Sequence, residues 1–337
     1  MRSMSGKSLG FGRVSSAALL TSALALQLGA CGNSTDPAAD DGAGQPIQSF
    51  SVTAEGMAAA KTATLRASHK LPIVSARTVQ ASFSASAAAP PVDSPFDLTY
   101  FGGALVHGAT AFNVYVNCPD GPAACWGSGQ LTPATFLRDL NHDNFIRLMN
   151  EFIGSDAKGN FPVKELSTTA TFSQPSTASL DDIFGVVFSA SSFTGVTGYS
   201  AIYHIFLPQG TDMCFDAQTC YSPDNFDTFV FCAFHFSVDF DANTHVLFTV
   251  EPYQFVPGCA IPGQTPHGVI DATASTVSHE QMETMMDPDG DAWFNGLTGQ
   301  EGSDLCSAIG SNEFIGHHAY FIQKEYSNKV HGCTTRS

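Results

Sequence analysis

Ser278 to Pro288 reads SHEQMETMMDP and holds the residue types and spacing richest in chemistry. His279 and Glu283 are four residues apart, so on a helix they share a face and can reach one cation. Glu280 lies beside them, where a carboxylate can take a proton from water. The pattern H-E-x-x-E is one residue from H-E-x-x-H, in which two imidazoles one turn apart hold zinc and the glutamate is the base. A carboxylate in the second position keeps that geometry, because Glu oxygen is an accepted zinc donor. It also lowers the positive charge of the site and moves its preference towards harder ions such as Mn2+ or Ca2+. Taken alone, an acidic helix with one histidine is the plainer account.

A catalytic zinc needs a third protein ligand, and Glu301-Gly302-Ser303-Asp304 supplies two carboxylates 18 residues past Glu283. The arrangement loosely resembles zinc peptidases with a downstream glutamate ligand and an aspartate holding a metal-bound histidine. That resemblance implies Glu301 as third ligand and Asp304 behind His279, or the two roles reversed. Cys306 follows closely, so a disulfide there would pin the turn. Asp287, Asp289 and Asp291 start like an EF-hand loop, but Gly290 is misplaced and Thr298 stands where a bidentate Glu is needed, which excludes that motif. A looser calcium site or a solvated acidic turn remains. His235, in FCAFH, is either a ligand, an oxyanion donor, or a satisfied core histidine. His317 and His318 read as a surface pair or a substrate contact. There is no G-x-S-x-G elbow and no glycine-rich phosphate loop.

These residues need elements to position them. Short β-rich runs predict strands at 112–116, 184–190, 201–207, 228–234 and 245–253. Thr132-Pro133 opens a helix over ATFLRDLNHDNFIRLMNEFIG, with Thr as N-cap and Pro in the first turn. A second helix covers roughly Ala272–Met286 and ends at Asp287-Pro288. The expected fold is α/β or α+β: one domain over 95–337, a mixed sheet with flanking helices, stapled by disulfides. Strand order is not legible.

The N-terminal part reads differently. Arg2, Lys7 and Arg13 precede an apolar run too short to span a bilayer, so residues 1–30 are expected to be a secretory signal. Leu28-Gly29-Ala30-Cys31 resembles a bacterial lipobox, which implies lipidation at Cys31; Gly32 in place of Asp implies outer-membrane sorting in a Gram-negative cell. The small-residue composition of 31–94 predicts a flexible tether, or a propeptide whose Lys61, Arg66, Lys70 and Arg77 pair with the acidic domain. Eight cysteines follow Cys31, as expected of disulfides in an oxidising compartment. Pairing neighbours gives Cys118–Cys125, Cys214–Cys220, Cys232–Cys259 and Cys306–Cys333. Beyond residue 94 stand seven Lys or Arg against 26 Asp or Glu, a net −19 that excludes nucleic-acid binding and favours cations.

One family resemblance spans about 99–333. Tyr100-Phe101-Gly102-Gly103, IYHIFLPQG (202–210), FCAFH (231–235), SHEQMETMMDP with Trp293 following, Glu301-x-x-Asp304-Leu305-Cys306 and YFIQKEYSN occur in the order seen in the EXORDIUM, or phosphate-induced, proteins and their bacterial relatives. Tyr326 departs from the Trp usual in the closing motif. The resemblance implies an exported, cell-wall-associated protein, often with a His–Glu helix, and no settled activity. Two functions follow. One is a surface-anchored metallohydrolase, most simply a zinc peptidase, with His279, Glu283 and Glu301 or Asp304 as ligands, Glu280 as base and His235 as oxyanion donor, and Ca2+ or Mn2+ as other candidate ions. The other is a non-catalytic monomeric lipoprotein that binds cell-envelope polymer. Expected partners are the membrane, through the lipid, and a peptide, protein or polymer substrate.

Overall fold

A computed structural model describes residues 46–66, 95–127, 129–261 and 267–336. The signal, Cys31 and residues 67–94 lie outside these. In chain order the main elements are strand β1 (Gln48–Ser51), helix α1 (Ala54–Ala60), β2 (Thr64–Arg66), β3 (Thr110–Val116), α2 (Pro133–His142), β4 (Val163–Thr169), α3 (Leu180–Thr194), β5 (Gly198–Phe206), β6 (Phe234–Asp241), β7 (Thr244–Glu251) and α4 (Val269–Met286). The seven strands form one mixed sheet in the order β1-β4-β3-β5-β7-β6-β2. Five are parallel, from β1 across to β7. The hairpin β6–β7 then reverses direction, and β2 closes that edge antiparallel to β6. The architecture is therefore α/β, with helices on both faces.

Side-chain alternation sorts the two cores. Ala111, Tyr115, Ile202, Phe206 and Leu247 point to the face covered by α2 and α4. Phe112, Val114, Tyr203, Ile205, Phe248 and Val250 point to the face covered by α3. Central parallel strands buried on both sides read as continuous apolar runs, as IYHIF does. Two small hairpins, Gly310–Ile315 with His318–Gln323 and Glu325–Ser327 with Gly332–Thr334, complete the α4 side. All four neighbour pairs of cysteines are disulfide-bonded.

Four expectations change. The run FGVVFSA lies inside α3 and not in a strand. Ser179 accepts from the Asp182 amide while the Asp182 carboxylate accepts from Ser179, a capping box that starts the helix just ahead of a run whose β-branched residues read equally as strand. The run TFVFCAF is mostly irregular: only Phe229 makes a bridge, and β6 begins at Phe234. The Cys232–Cys259 disulfide holds this buried loop. The helix begun at Thr132 stops at His142, because Asp143 turns extended and its carboxylate caps the next turn through the Phe145 amide. Finally, residues 48–66 are not a tether: β1 and β2 supply the two edges of the sheet and α1 packs on α3. Edge strands and a short helix docked through small residues need little apolar content, so composition alone misreads them.

Candidate metal centre

Helix α4 is buried along its whole length from Ile270 to Met286, polar residues included. It starts without a side-chain N-cap; Asp271 accepts from the His267 amide, which also places negative charge in the first turn. It ends where the Asp287 amide bonds the Glu283 carbonyl and Pro288 prevents continuation. A helix buried on every side must pair its polar groups with protein or with an ion. On the sheet-facing turn, His279 and Glu283 stand one above the other, with Nε2 and Oε2 3.0 Å apart. The 3-10 turn Asp304–Cys306 brings Asp304 Oδ1 to 3.7 Å from the same Nε2. The Asp304 amide donates to Glu283 Oε1 at 3.0 Å, which leaves Oε2 turned towards the imidazole.

His235, the second residue of β6, enters from the sheet. Its Nδ1 lies 3.2 Å from Glu280 Oε2 and 3.7 Å from Glu283 Oε2. Its Nε2 lies 3.2 Å from the Asp287 carbonyl and 3.7 Å from Glu301 Oε1. Two sets of donors thus lie within 4.8 Å of one another: His279, Glu283 and Asp304, and His235, Glu283 and Glu301. Zinc ligands bonded at 2.0–2.2 Å to one tetrahedral ion stand about 3.3–3.6 Å apart, close to the separations in the first set. Despite their proximity, His279 Nε2 and Glu283 Oε2 make no aligned hydrogen bond, and neither do the buried Glu280 Oε1 and Glu301 Oε1. With a proton on Nε2 the two groups form a buried ion pair; with a cation in the proton's place they are ligands.

Gln323 orients His279. Its Nε2 lies 3.0 Å from His279 Nδ1 and donates to the Ser303 carbonyl at 2.9 Å, while its Oε1 lies 3.4 Å from the same Nδ1. With the amide nitrogen nearer, Nδ1 accepts and the imidazole proton sits on Nε2; the tautomer that leaves Nε2 for a metal needs Oε1 in the nearer place, accepting from Nδ1.

Without an ion, the electrostatics favour a protonated His279. Burial opposes charge on His279, but Glu283, Glu280 and Asp304 outweigh it and hold the imidazole well above its ordinary range. Burial raises Glu283, yet His279 and His235 pull it below the usual value. Burial, then Glu283, pushes Asp304 up to about 8, and burial with neighbouring carboxylates holds Glu280 and Glu301 well above normal. Burial lowers His235 to about 4. Among the described residues no Lys or Arg pairs with any of these carboxylates; the Lys and Arg ion pairs lie elsewhere.

No protein-family model, curated protein or solved structure matches this chain. The reading of the site therefore stands on its own geometry.

Of the residues expected from the sequence, all six converge, with one exchange of roles. Asp304 joins His279 and Glu283, whereas Glu301 faces His235. Asp287, Asp289 and Asp291 do not gather into a calcium site. Asp287 Oδ1 accepts from the Ala292 amide, and Asp289 is taken by Tyr199 and Ser237. His318 pairs with Asp139 at 2.6 Å, on the outer hairpin. Sequence reasoning missed Gln323 and the buried Glu251 and Glu325, each pushed up to about 8 by burial. The signal for them was a lone polar residue inside an apolar strand run, as in HVLFTVE.

Proposed function

We propose that this chain is a metal-dependent hydrolase, exported and anchored at the cell envelope, that cleaves peptide bonds in peptide or protein substrates. The observation that carries the reading is the convergence of His279 Nε2, Glu283 Oε2 and Asp304 Oδ1, two of them buried and unpartnered, beside Glu280. These three residues would hold the cation, with Zn2+ the first candidate and Mn2+ or Ca2+ favoured by the oxygen-rich donor set. When bound, the cation supplies a Lewis acid for the scissile carbonyl and for water. Glu280 keeps Oε1 unpartnered while Oε2 is held by His235, so the carboxylate is oriented to accept a proton. His235 positions that base in this reading, in place of the oxyanion role expected from sequence. Asp304 keeps 15 % of its side-chain surface, so substrate would approach over the Glu301–Asp304 turn. The leader and Cys31 support export and lipid anchoring; among the described residues no helix is long and apolar enough to cross a membrane.

The test is metal content and proteolysis of the purified protein and of Glu280→Gln. The variant is expected to retain its metal and to lose hydrolysis of a peptide library by at least about a hundredfold. Loss of metal in Glu280→Gln, or less than a tenth of an equivalent bound by wild type in excess Zn2+, would sink the assignment. The complete burial of His279, Glu280 and Glu283 favours a second reading: a non-catalytic, EXORDIUM-like polymer-binding lipoprotein in which the cation is a structural clamp. It predicts metal binding with no cleavage of any library member.

A further inference from the structure

We propose that the ribbon beside the metal centre is a docking surface for cationic, apolar-rich polypeptide. Its aromatic and aliphatic side chains take the apolar residues of that polypeptide, and neighbouring carboxylates take its lysines or arginines. This rests on the hydrolase reading and deepens it by naming the substrate class. The ribbon pairs Thr99–Tyr100 antiparallel with Trp293–Phe294. Around it Phe96, Tyr100 and Phe101 are 47 %, 44 % and 52 % exposed, and Leu297 is 83 % exposed. Single exposed apolar residues are ordinary on a protein surface, but four gathered on two joined segments mark a place where another molecule binds. Asn295 joins the segments: its side-chain oxygen accepts from the Leu297 amide at 3.0 Å, and its Nδ2 donates to the Pro95 carbonyl at 2.7 Å.

The surface is built before anything binds. Phe101 stacks on the buried Phe294 with ring centres 4.0 Å apart, and a Cβ on Gly296 would meet the Phe101 ring at 3.3 Å. Tyr100 lies 5.3 Å from Trp293, whose Nε1 donates to the Phe152 carbonyl at 2.9 Å. Rings fixed in this way lose little freedom when a partner covers them, so more of their apolar area appears as affinity. The same stretch borders the centre. The Asn295 amide donates to the Gln300 carbonyl at 2.8 Å, closing the loop just ahead of Glu301, and a Cβ on Gly302 would meet Leu98 at 3.3 Å. A polypeptide lying on the ribbon therefore reaches the Glu301–Asp304 turn, where Asp304 is partly exposed.

Charge selects the occupant. Residues 95–106 and 287–306 hold Asp97, Asp287, Asp289, Asp291, Glu301 and Asp304 and no Lys or Arg. Asp97 faces His331 and Asp289 faces His245, whereas the exposed Asp291 forms no ion pair among the described residues. Asp291 belongs to the ribbon's edge, since its carbonyl accepts from the Gly103 amide at 3.1 Å. A surface of this sign repels an anionic polymer and gives a neutral polysaccharide nothing beyond stacking. A lysine or arginine gains twice, from a carboxylate and from the uncovered face of an aromatic ring. Leu297 has no ring for a sugar to stack on, but it offers a peptide side chain ordinary apolar contact.

The experiment is fluorescence anisotropy of a labelled peptide of repeated Lys-Phe-Gly, titrated with the purified full chain in Zn2+, each mixture being weighed by mass spectrometry for cleavage. The expected result is saturable binding that weakens at least about tenfold when Glu replaces Lys in the peptide, and about fivefold when Ser replaces Phe. Leu297→Ser and Asp291→Asn, both at exposed side chains, should each weaken it about threefold. Equal affinity for the Lys and Glu peptides, or unchanged affinity in both variants, overturns the proposal. So does tighter binding of a neutral glucan oligosaccharide, or self-association of the chain that Leu297→Ser abolishes. The two readings fail separately. Selective binding with the peptide left intact removes hydrolysis and leaves the docking surface; cleavage indifferent to peptide sequence and to Leu297→Ser does the reverse. The comparison of peptides on the wild-type chain decides the matter even where a variant is unstable.

Discussion

A carboxylate buried without a cation is costly, and α4 buries Glu280 and Glu283 completely. Where the charges are instead paired within the protein, the structure shows it openly. His245 lies between Asp239, 2.7 Å from Nδ1, and Asp289, 3.3 Å from Nε2, and Arg66 from β2 meets Asp239 at 2.5 Å. Burial opposes the His245 charge, but Asp289 and Asp239 outweigh it and raise the imidazole above 6.5. Burial raises Asp289, yet His245, Ser237 and Tyr199 bring it down to about 2 from 3.8. A raised histidine stabilises fully below its unfolded value and loses that contribution as pH rises through its folded value. A depressed aspartate stabilises above its unfolded value and loses the contribution as pH falls towards its folded one. The cluster should therefore contribute most between pH 3.8 and 6.5. Melting temperatures of wild type and His245→Gln are expected to differ most near pH 5 and to draw together by about pH 8. A pH-independent gap would show that the cluster acts through packing alone.

At the scale of elements, the N-terminal segment is the clearest lesson. α1 approaches α3 through glycines on both helices: a Cβ on Gly56 would meet Ser189 Oγ at 2.5 Å and the Gly185 carbonyl at 2.9 Å. The Thr53 side chain caps α1 through the Gly56 amide, and Ser189 accepts from the Thr53 amide at 3.0 Å. Gly56→Ala forces the two helices apart, at a cost of about 1–3 kcal/mol. Limited trypsin digestion should then cut after Lys61 or Arg66 in the variant well before it does in wild type. Equal cleavage rates would mean that α1 is not held by this contact. A segment rich in Ala, Ser and Gly has too little apolar content to announce a docking site on its own. The helix α4, by contrast, was legible from His279, Glu283 and the Asp287-Pro288 stop, because spacing and a helix breaker are local signals.

For the whole molecule, net charge and metal are linked. The chain carries −17, and several of its carboxylates are interior. A cation at a hundred times its Kd adds about 2.7 kcal/mol to stability, which for a domain of this size is about 5–10 °C in melting temperature. EDTA should lower the melting temperature by roughly that amount, with recovery on adding excess Zn2+ or Mn2+. A curve indifferent to chelator contradicts a bound ion. The anchor is tested separately: Cys31→Ser is expected to move the exported protein from the membrane fraction to the soluble one, and continued sedimentation with membranes would remove lipidation from the account.

The sequence by itself determined what depends on neighbours along the chain: the α4 helix and its stop, the hairpin strands around 245–253, four disulfides between nearest cysteines, and the residue types of the centre. Short loops close most readily, so neighbouring cysteines pair with the least loss of chain entropy. Only the tertiary structure decided what depends on distance in sequence. It placed β1 and β2 at opposite edges of one sheet, turned FGVVFSA into a helix against it, and divided Glu301 and Asp304 between two histidines. His235 and Glu301 are 66 residues apart and meet at 3.7 Å where the segment following α4 folds back against β6. No local pattern encodes that meeting; it follows from how β6 and the segment after α4 pack, since buried side chains are positioned by the backbone that carries them.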